Sequence, residues 1–338
     1  MTRTKAMILG CAGQALTTDE VALYRDEQPW GFILFSRNLG EPQQIGDLVA
    51  SMRDTVGRPD APVLIDQEGG RVQRIRPPMV EKYPAAAELG ALFAADPEQG
   101  LRAARLMSRL HAFDLTRLGI NVDCLPVLDV LVEGATPAIG NRAYGSDPRL
   151  VTAMGRAAAA GLKAGGMLPV MKHMPGHGRA TVDSHHDLPV VTASVEELDA
   201  HDFAPFRAMK DEVMAMSAHI VFTAIDAERP ATTSRTVIDE IIRGRIGFDG
   251  LLLSDDSSMN ALKGTLGERA ADIVAGGCDI VLHCNGVMEE MKQVVAEVPV
   301  LDGERLRRVK AVEAAFPAPD DTSEEAARNE FWSLLGSV

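Results

Sequence analysis

Cysteine is scarce in this sequence. There are four, Cys11, Cys124, Cys278 and Cys284, none spaced C-x-x-C, and the last three lie in apolar, strand-like runs. This argues against a disulfide scaffold and for a reduced, cytoplasmic protein. Positive charge is also short: 34 Lys and Arg against 48 Asp and Glu leave a net charge of −14, which speaks against nucleic acid or an anionic membrane as partner. No apolar run approaches the roughly 18 residues of a membrane span. Ile8-Leu9-Gly10-Cys11 looks like a lipoprotein cleavage box with Arg3 and Lys5 ahead of it. Only Ala6 and Met7 intervene, too few for an apolar signal segment. No G-x-G-x-x-G follows the first strand-like run, which counts against a dinucleotide fold. Glycine and proline are scattered, so no stretch reads as low complexity, a linker or a domain boundary.

What is present is a repeat of short apolar runs, most of them separated by helical patterns. The runs are Ala6–Cys11, Gly31–Phe35, Pro62–Ile65, Ile120–Val127, Leu168–Met171, Val213–Met216, Leu251–Leu253 and Asp279–Leu282. They are mostly continuously apolar and not alternating, as parallel strands covered on both faces are. Helical patterns fall near Pro42–Asp54, Pro97–Leu118, Val195–Met209, Arg235–Arg245 and Gly267–Ala275. Another spans Asp147–Ala164, with Asp147 as N-cap and Pro148 at the first helical position. Eight strand units over about 300 residues predict an α/β fold, a single (β/α)8 TIM-type barrel over residues 1–338. A doubly wound sheet is the runner-up. Residues 317–338 read as a tail, a polar loop through Asp320-Asp321-Thr322-Ser323 before a short final helix.

Nearly every run ends in polar residues: Ser36-Arg37-Asn38, Asp66, Asp129, Lys172-His173, His219, Asp255-Asp256 and His283. In a barrel these ends converge on one rim, where active sites form. The densest stretch is Lys172–Asp187, with four of the chain's eight histidines; Pro175, Gly176 and Gly178 force it into an irregular loop. Within it, Asp183 and His185 are two apart, so in extended backbone they face one side and form a carboxylate–histidine pair suited to general acid/base work. An isolated D-x-H is more often a structural loop histidine, but the company of Lys172, His173 and His177 favours chemistry. Asp255 or Asp256 can face the barrel axis, but not both in regular alternation. Such a carboxylate serves as nucleophile or metal ligand, or else, for Asp256 especially, as a helix N-cap. Asp66 to Arg74 brings acids, glycines and the local arginine cluster (Arg71, Arg74, Arg76) together, which suits sugar hydroxyls or a simple ion-paired loop equally. Arg142 alone reads as a solvated loop arginine. His173 and His177 have metal-ligand spacing, but Pro175 and Gly176 exclude the helix that would align them.

Four motifs in order, Pro62–Arg74, Ile139–Tyr144, Lys172–His185 and Ser254–Met259, resemble bacterial β-N-acetylhexosaminidases of glycoside hydrolase family 3, over about residues 5 to 290. The resemblance implies a barrel that removes terminal N-acetylglucosamine with retention. It implies Asp255 as nucleophile, His185 as acid/base with Asp183 as its partner, and sugar contacts at Asp66, Arg74, Arg142, Lys172 and His173. It further implies no metal and no cofactor, and as substrate a muropeptide-type glycan, N-acetylglucosaminyl-1,6-anhydro-N-acetylmuramic acid with or without peptide, met in cytosolic cell-wall recycling. The sole expected partner is that small glycan; no interface signature is legible and a monomer is favoured. Met174 stands where Phe is usual and Ser257 where Leu is usual, both beside the catalytic positions. Three alternatives stay open: transfer of the sugar to phosphate at the same site, a metal-dependent hydrolase, and a catalytically inactive sugar-binding protein.

Overall fold

The computed structural model describes residues 4–182, 184 and 188–336. Its main sheet is wholly parallel, with strands β1 Lys5–Leu9, β2 Pro29–Leu34, β3 Val63–Ile65, β4 Val122–Asp123, β5 in two pieces (Leu168–Pro169 and Met171–Met174), β6 Met214–Ser217, β7 Leu251–Asp256 and β8 Ile280–His283. The first piece of β5 pairs with β4 and the second with β6, so the two edges of the sheet belong to one strand and the sheet closes on itself. β1 meets β2 on one side and β8 on the other, with Met7 opposite Val281. This is the expected (β/α)8 barrel.

The strands form where continuous apolar runs can be buried on both faces. All six residues of β2 and all four of β8 are buried. Helices cover the outside, and their ends are marked by local chemistry. Asp147 accepts the Arg149 N–H at the start of Pro148–Ala164. Helix Thr18–Glu27, which periodicity did not single out, starts with a capping box: the Thr17 hydroxyl accepts the Glu20 N–H and the Glu20 carboxylate accepts the Thr17 N–H. The helix before β7, Val237–Ile246, is wound as a π-helix. The last helix, Glu324–Leu335, buries Phe331 and Ala327 against the barrel's outer layer. All four cysteines are buried and unbonded to one another. No described helix is long and apolar enough to cross a membrane.

Two local differences from the sequence reading matter for the site. β5 runs on to Met174, so Lys172 and His173 lie within a barrel strand and the irregular loop begins at Pro175. The run Ile120–Val127 gives only Val122 and Asp123 to the ladder. Beyond them Val127 bridges Lys172, and the Leu128 N–H donates to the Lys172 carbonyl.

Candidate active site

At the C-terminal mouth of the barrel lies a cavity of about 250 Å³, lined by Asp66, Arg74, Arg142, Lys172, His173 and Asp255 among others. These are the six described residues among the eight singled out from the sequence. The other two, Asp183 and His185, lie outside the described residues.

One wall is a chain of alternating charges. Arg74 donates to Asp66 Oδ2 at 2.8 Å, and Lys172 Nζ donates to Asp66 Oδ1 at 2.9 Å. Lys172 also lies 2.6 Å from Glu68 Oε1. Glu68 in turn receives both forks of Arg142, each at 2.8 Å. The sequence reading weighed sugar binding against ion pairing here; the loop is ion-paired and also lines the cavity. Arg142 is not the solvated loop arginine that it resembles in isolation. Burial alone would raise the Asp66 carboxyl, but the Lys172 ammonium and Arg74 guanidinium hold it well below its usual range. Burial likewise pushes Glu68 up, and Arg142 and Lys172 bring it down to about 2. Lys172, against the pull of burial, is held above its ordinary value by Asp66 and Glu68. The wall is therefore fully ionised over all ordinary pH. Across its upper edge the Phe35 ring carries the Arg74 guanidinium at 4.8 Å.

A second cluster is organised by Asp129, buried just beyond β4. Its Oδ2 lies 2.7 Å from His173 Nδ1, and its Oδ1 accepts the His173 N–H at 3.2 Å and the His177 N–H at 2.7 Å. Burial would raise this carboxyl; His173 and His177 lower it to about 2. One carboxylate thus fixes the strand end at His173 and the first turn of the following loop. Gly178 is required there because an added Cβ would lie 1.8 Å from the Val130 carbonyl oxygen. Farther along, Arg179 donates to Asp202 at 2.6 Å. The His177 imidazole is held neutral, lowered to about 4 by burial and then by His173. Its Nε2 lies 3.3 Å from the Ser184 hydroxyl, inside the Asp183–His185 triplet.

The third cluster is the end of β7. Both Asp255 and Asp256 line the cavity, which regular alternation forbids. The register supplies the reason: Leu253 pairs with Ile280 and Asp256 with Leu282, so three residues of β7 span two of β8 and the alternation is broken by a bulge. Asp255 Oδ1 accepts the Asp256 N–H at 2.8 Å. Asp256 is not a helix N-cap, because the next helix, Leu266–Gly276, is capped by Thr265. It holds a turn instead, accepting the Ser258 N–H (3.0 Å), the Ser258 hydroxyl (2.6 Å) and the Cys284 N–H (3.1 Å). Ser257 hydrogen-bonds His283 Nδ1 at 3.0 Å, which gives the unusual serine a partner.

The sequence reading gives Glu68 no role beyond one of the acids of the Asp66–Arg74 stretch, Asp129 none beyond a strand end, and His177 none beyond company for the acid/base pair and a metal-ligand candidate. For Glu68 a signal existed: Asp66 and Glu68 are two apart, the same spacing that paired Asp183 with His185, and both reach Lys172. Among the described residues no group of three or more His, Cys, Asp or Glu could hold a metal ion.

Comparison with known proteins gives a consistent picture. Residues 1–312 match the glycosyl hydrolase family 3 N-terminal domain. A beta-hexosaminidase of Bordetella parapertussis is 36% identical over 339 residues, covering 98% of this chain and 94% of its own length. One of Xylella fastidiosa is 39% identical over 287 residues, covering 82% and 83%. NagZ from Neisseria gonorrhoeae, solved in complex with N-trifluoroacetyl-D-glucosamine, superposes with a TM-score of 0.87 at 31% identity, covering 98% of both chains.

Proposed function

The chain belongs to glycosyl hydrolase family 3, and from that premise we propose a retaining β-N-acetylglucosaminidase that acts through a glycosyl-enzyme on Asp255, with Asp183–His185 as acid/base. It is a glycoside hydrolase of the β-hexosaminidase kind. The observation that supports the finer reading is the cavity itself: one small chamber is lined by Asp255 of β7 and by Asp66, Arg74, Arg142 and Lys172 of the charged wall. That wall offers donors and acceptors to the hydroxyls of a single sugar. His173, tied to Asp129, completes the sugar contacts.

In the first step the Asp255 carboxylate attacks the anomeric carbon while the bond from that carbon to the departing oxygen breaks. The His185 imidazolium, paired with Asp183, gives that oxygen a proton. In the second step His185 takes a proton from water, the water oxygen attacks the anomeric carbon, and Asp255 leaves as carboxylate. Two inversions give net retention. The natural substrate on this reading is a muropeptide-type glycan, N-acetylglucosaminyl-1,6-anhydro-N-acetylmuramic acid with or without peptide. The analogue bound to the solved relative is an N-acylated glucosamine, which fits that sugar. Four buried, unpaired thiols suit a reducing cytoplasm.

The test is hydrolysis of aryl β-N-acetylglucosaminides by wild type, Asp255→Ala and His185→Ala, with and without phosphate and chelator. Asp255→Ala is expected to stop nitrophenol release. His185→Ala is expected to lose far more with a poor leaving group than with a good one. Full activity in Asp255→Ala refutes the nucleophile. Sugar phosphate as product moves the reading to a phosphorylase, and loss of rate on metal removal to a metal enzyme.

A further inference from the structure

Glu68 is buried, pairs with both Arg142 and Lys172, and yet does not line the cavity. Within the wall it stands behind the groups that face the cavity. Its two oxygens hold the guanidinium of Arg142 in a two-bond grip, and one of them lies 2.6 Å from Lys172 Nζ. The cavity is lined by four cations, Arg71, Arg74, Arg142 and Lys172, and by three carboxylates, Asp66, Asp255 and Asp256. Among the described residues, Asp66 and Glu68 are the carboxylates that pair with Arg74, Arg142 and Lys172. With Glu68 behind them the four lining cations are matched by four carboxylates; without it one positive charge is left over and the chamber leans towards an anion site.

We propose that Glu68 is the positioning and charge-setting residue of the sugar pocket: it aims Arg142 and Lys172 from behind and cancels enough positive charge that the pocket takes a neutral sugar and refuses a small anion. This deepens the glycosidase reading and rests on it for the identity of the sugar. Two requirements follow from one side chain. Aim depends on the length of the side chain, because a bidentate grip on guanidinium fails when the carboxylate is drawn back by one methylene. Selectivity depends on charge alone. Glu68 stays ionised throughout the working pH range, since Arg142 and Lys172 outweigh burial and bring it down to about 2.

Glu68→Asp and Glu68→Gln separate the two. The measurements are kcat and KM for an aryl β-N-acetylglucosaminide, competitive inhibition by inorganic sulfate, and sulfate binding by calorimetry, each beside wild type. Glu68→Gln is expected to bind sulfate at least about tenfold more tightly than wild type, the scale of one nearby unit charge removed. Its KM should rise about tenfold while kcat stays within about threefold, as misplaced binding contacts predict. Glu68→Asp should raise KM but leave sulfate binding at the wild-type level. Unchanged sulfate affinity in Glu68→Gln overturns the charge-setting role, since a merely structural residue would not alter anion selectivity in one direction. Unchanged KM in Glu68→Asp overturns the positioning role, and this variant serves if Glu68→Gln does not fold. A wild type that hydrolyses no aryl N-acetylglucosaminide defeats the glycosidase reading instead, and the calorimetric comparison still decides the role of Glu68.

Discussion

Two ion-pair networks of similar composition serve different parts of this molecule. At the cavity, Arg74, Asp66, Lys172, Glu68 and Arg142 form a closed line in which the side chains of Lys172 and Glu68 are 2% and 4% exposed. On the outside, the final helix is tied to the barrel by Arg102 with Glu330, Arg117 with Glu324, and Arg328 with Asp114 and Glu81. There Arg102 and Glu330 are 49% and 43% exposed. The outer pairs are screened by water and salt and contribute little each. The final helix is held more by Phe331 and by the stacking of Trp332 on Tyr83. The inner pairs are costly to bury, and removing one member strands its partner. Charge thus adds little to adhesion outside, while inside it fixes donors and acceptors.

The largest effect that separates the networks is expected from Lys172→Met, which leaves Asp66 and Glu68 each one cation short. Unfolding in urea should show a loss of about 3 kcal/mol, with hydrolysis of an aryl glycoside reduced at least about a hundredfold. A loss below about 1 kcal/mol would erase the contrast with the outer network.

Acid should reveal the same contrast. Glu68 and Asp129 are lowered to about 2 in the folded protein, from ordinary values of 4.5 and 3.8. Their stabilisation is therefore complete above about pH 4.5 and is lost as pH falls towards 2, because the unfolded chain binds their protons first. His177, lowered from 6.5 to about 4, adds a loss in the same direction that begins near pH 6.5. Urea midpoints measured from pH 7 to pH 2 should fall accordingly, with a shallower slope below pH 4.5 in Glu68→Gln and between pH 6.5 and 4 in His177→Gln.

Arg328→Ala is the strongest cut available outside, because it uncovers the nearly buried Asp114. About 1–2 kcal/mol of stability should be lost, with KM unchanged. Arg102→Ala should shift stability by no more than about 0.5 kcal/mol, and even that should vanish in 1 M salt. A KM change in either variant would mean that the outer network reaches the site.

The barrel was legible because a strand buried on both faces needs a continuous apolar run, and eight such runs are visible. The polar residues that end them were legible for the same reason: an apolar strand that stops at Asp66 or Asp255 advertises the stop. Less visible were features set by register and by distant partners. Alternation alone allows Asp255 or Asp256 into the cavity, and only the bulge against β8 admits both. Arg142 reads as solvated until Glu68, seventy-four positions earlier, is brought against it. Asp129 was noted as a strand end, but its grip on His173 and on the His177 backbone depends on how β4 and β5 meet. Asp183 and His185 rest on spacing and resemblance, since they lie outside the described residues.

Closure of the sheet also imposes an order in time. Met7 pairs with Val281, so one edge of β1 waits through almost the whole of synthesis for its neighbour. A nascent chain that ends before Ile280 carries an unpaired apolar edge at β1, open to any other strand that reaches it. The polypeptide thus commits its first strand early and can secure it only with its eighth, which leaves the β1–β8 seam open until synthesis is almost complete.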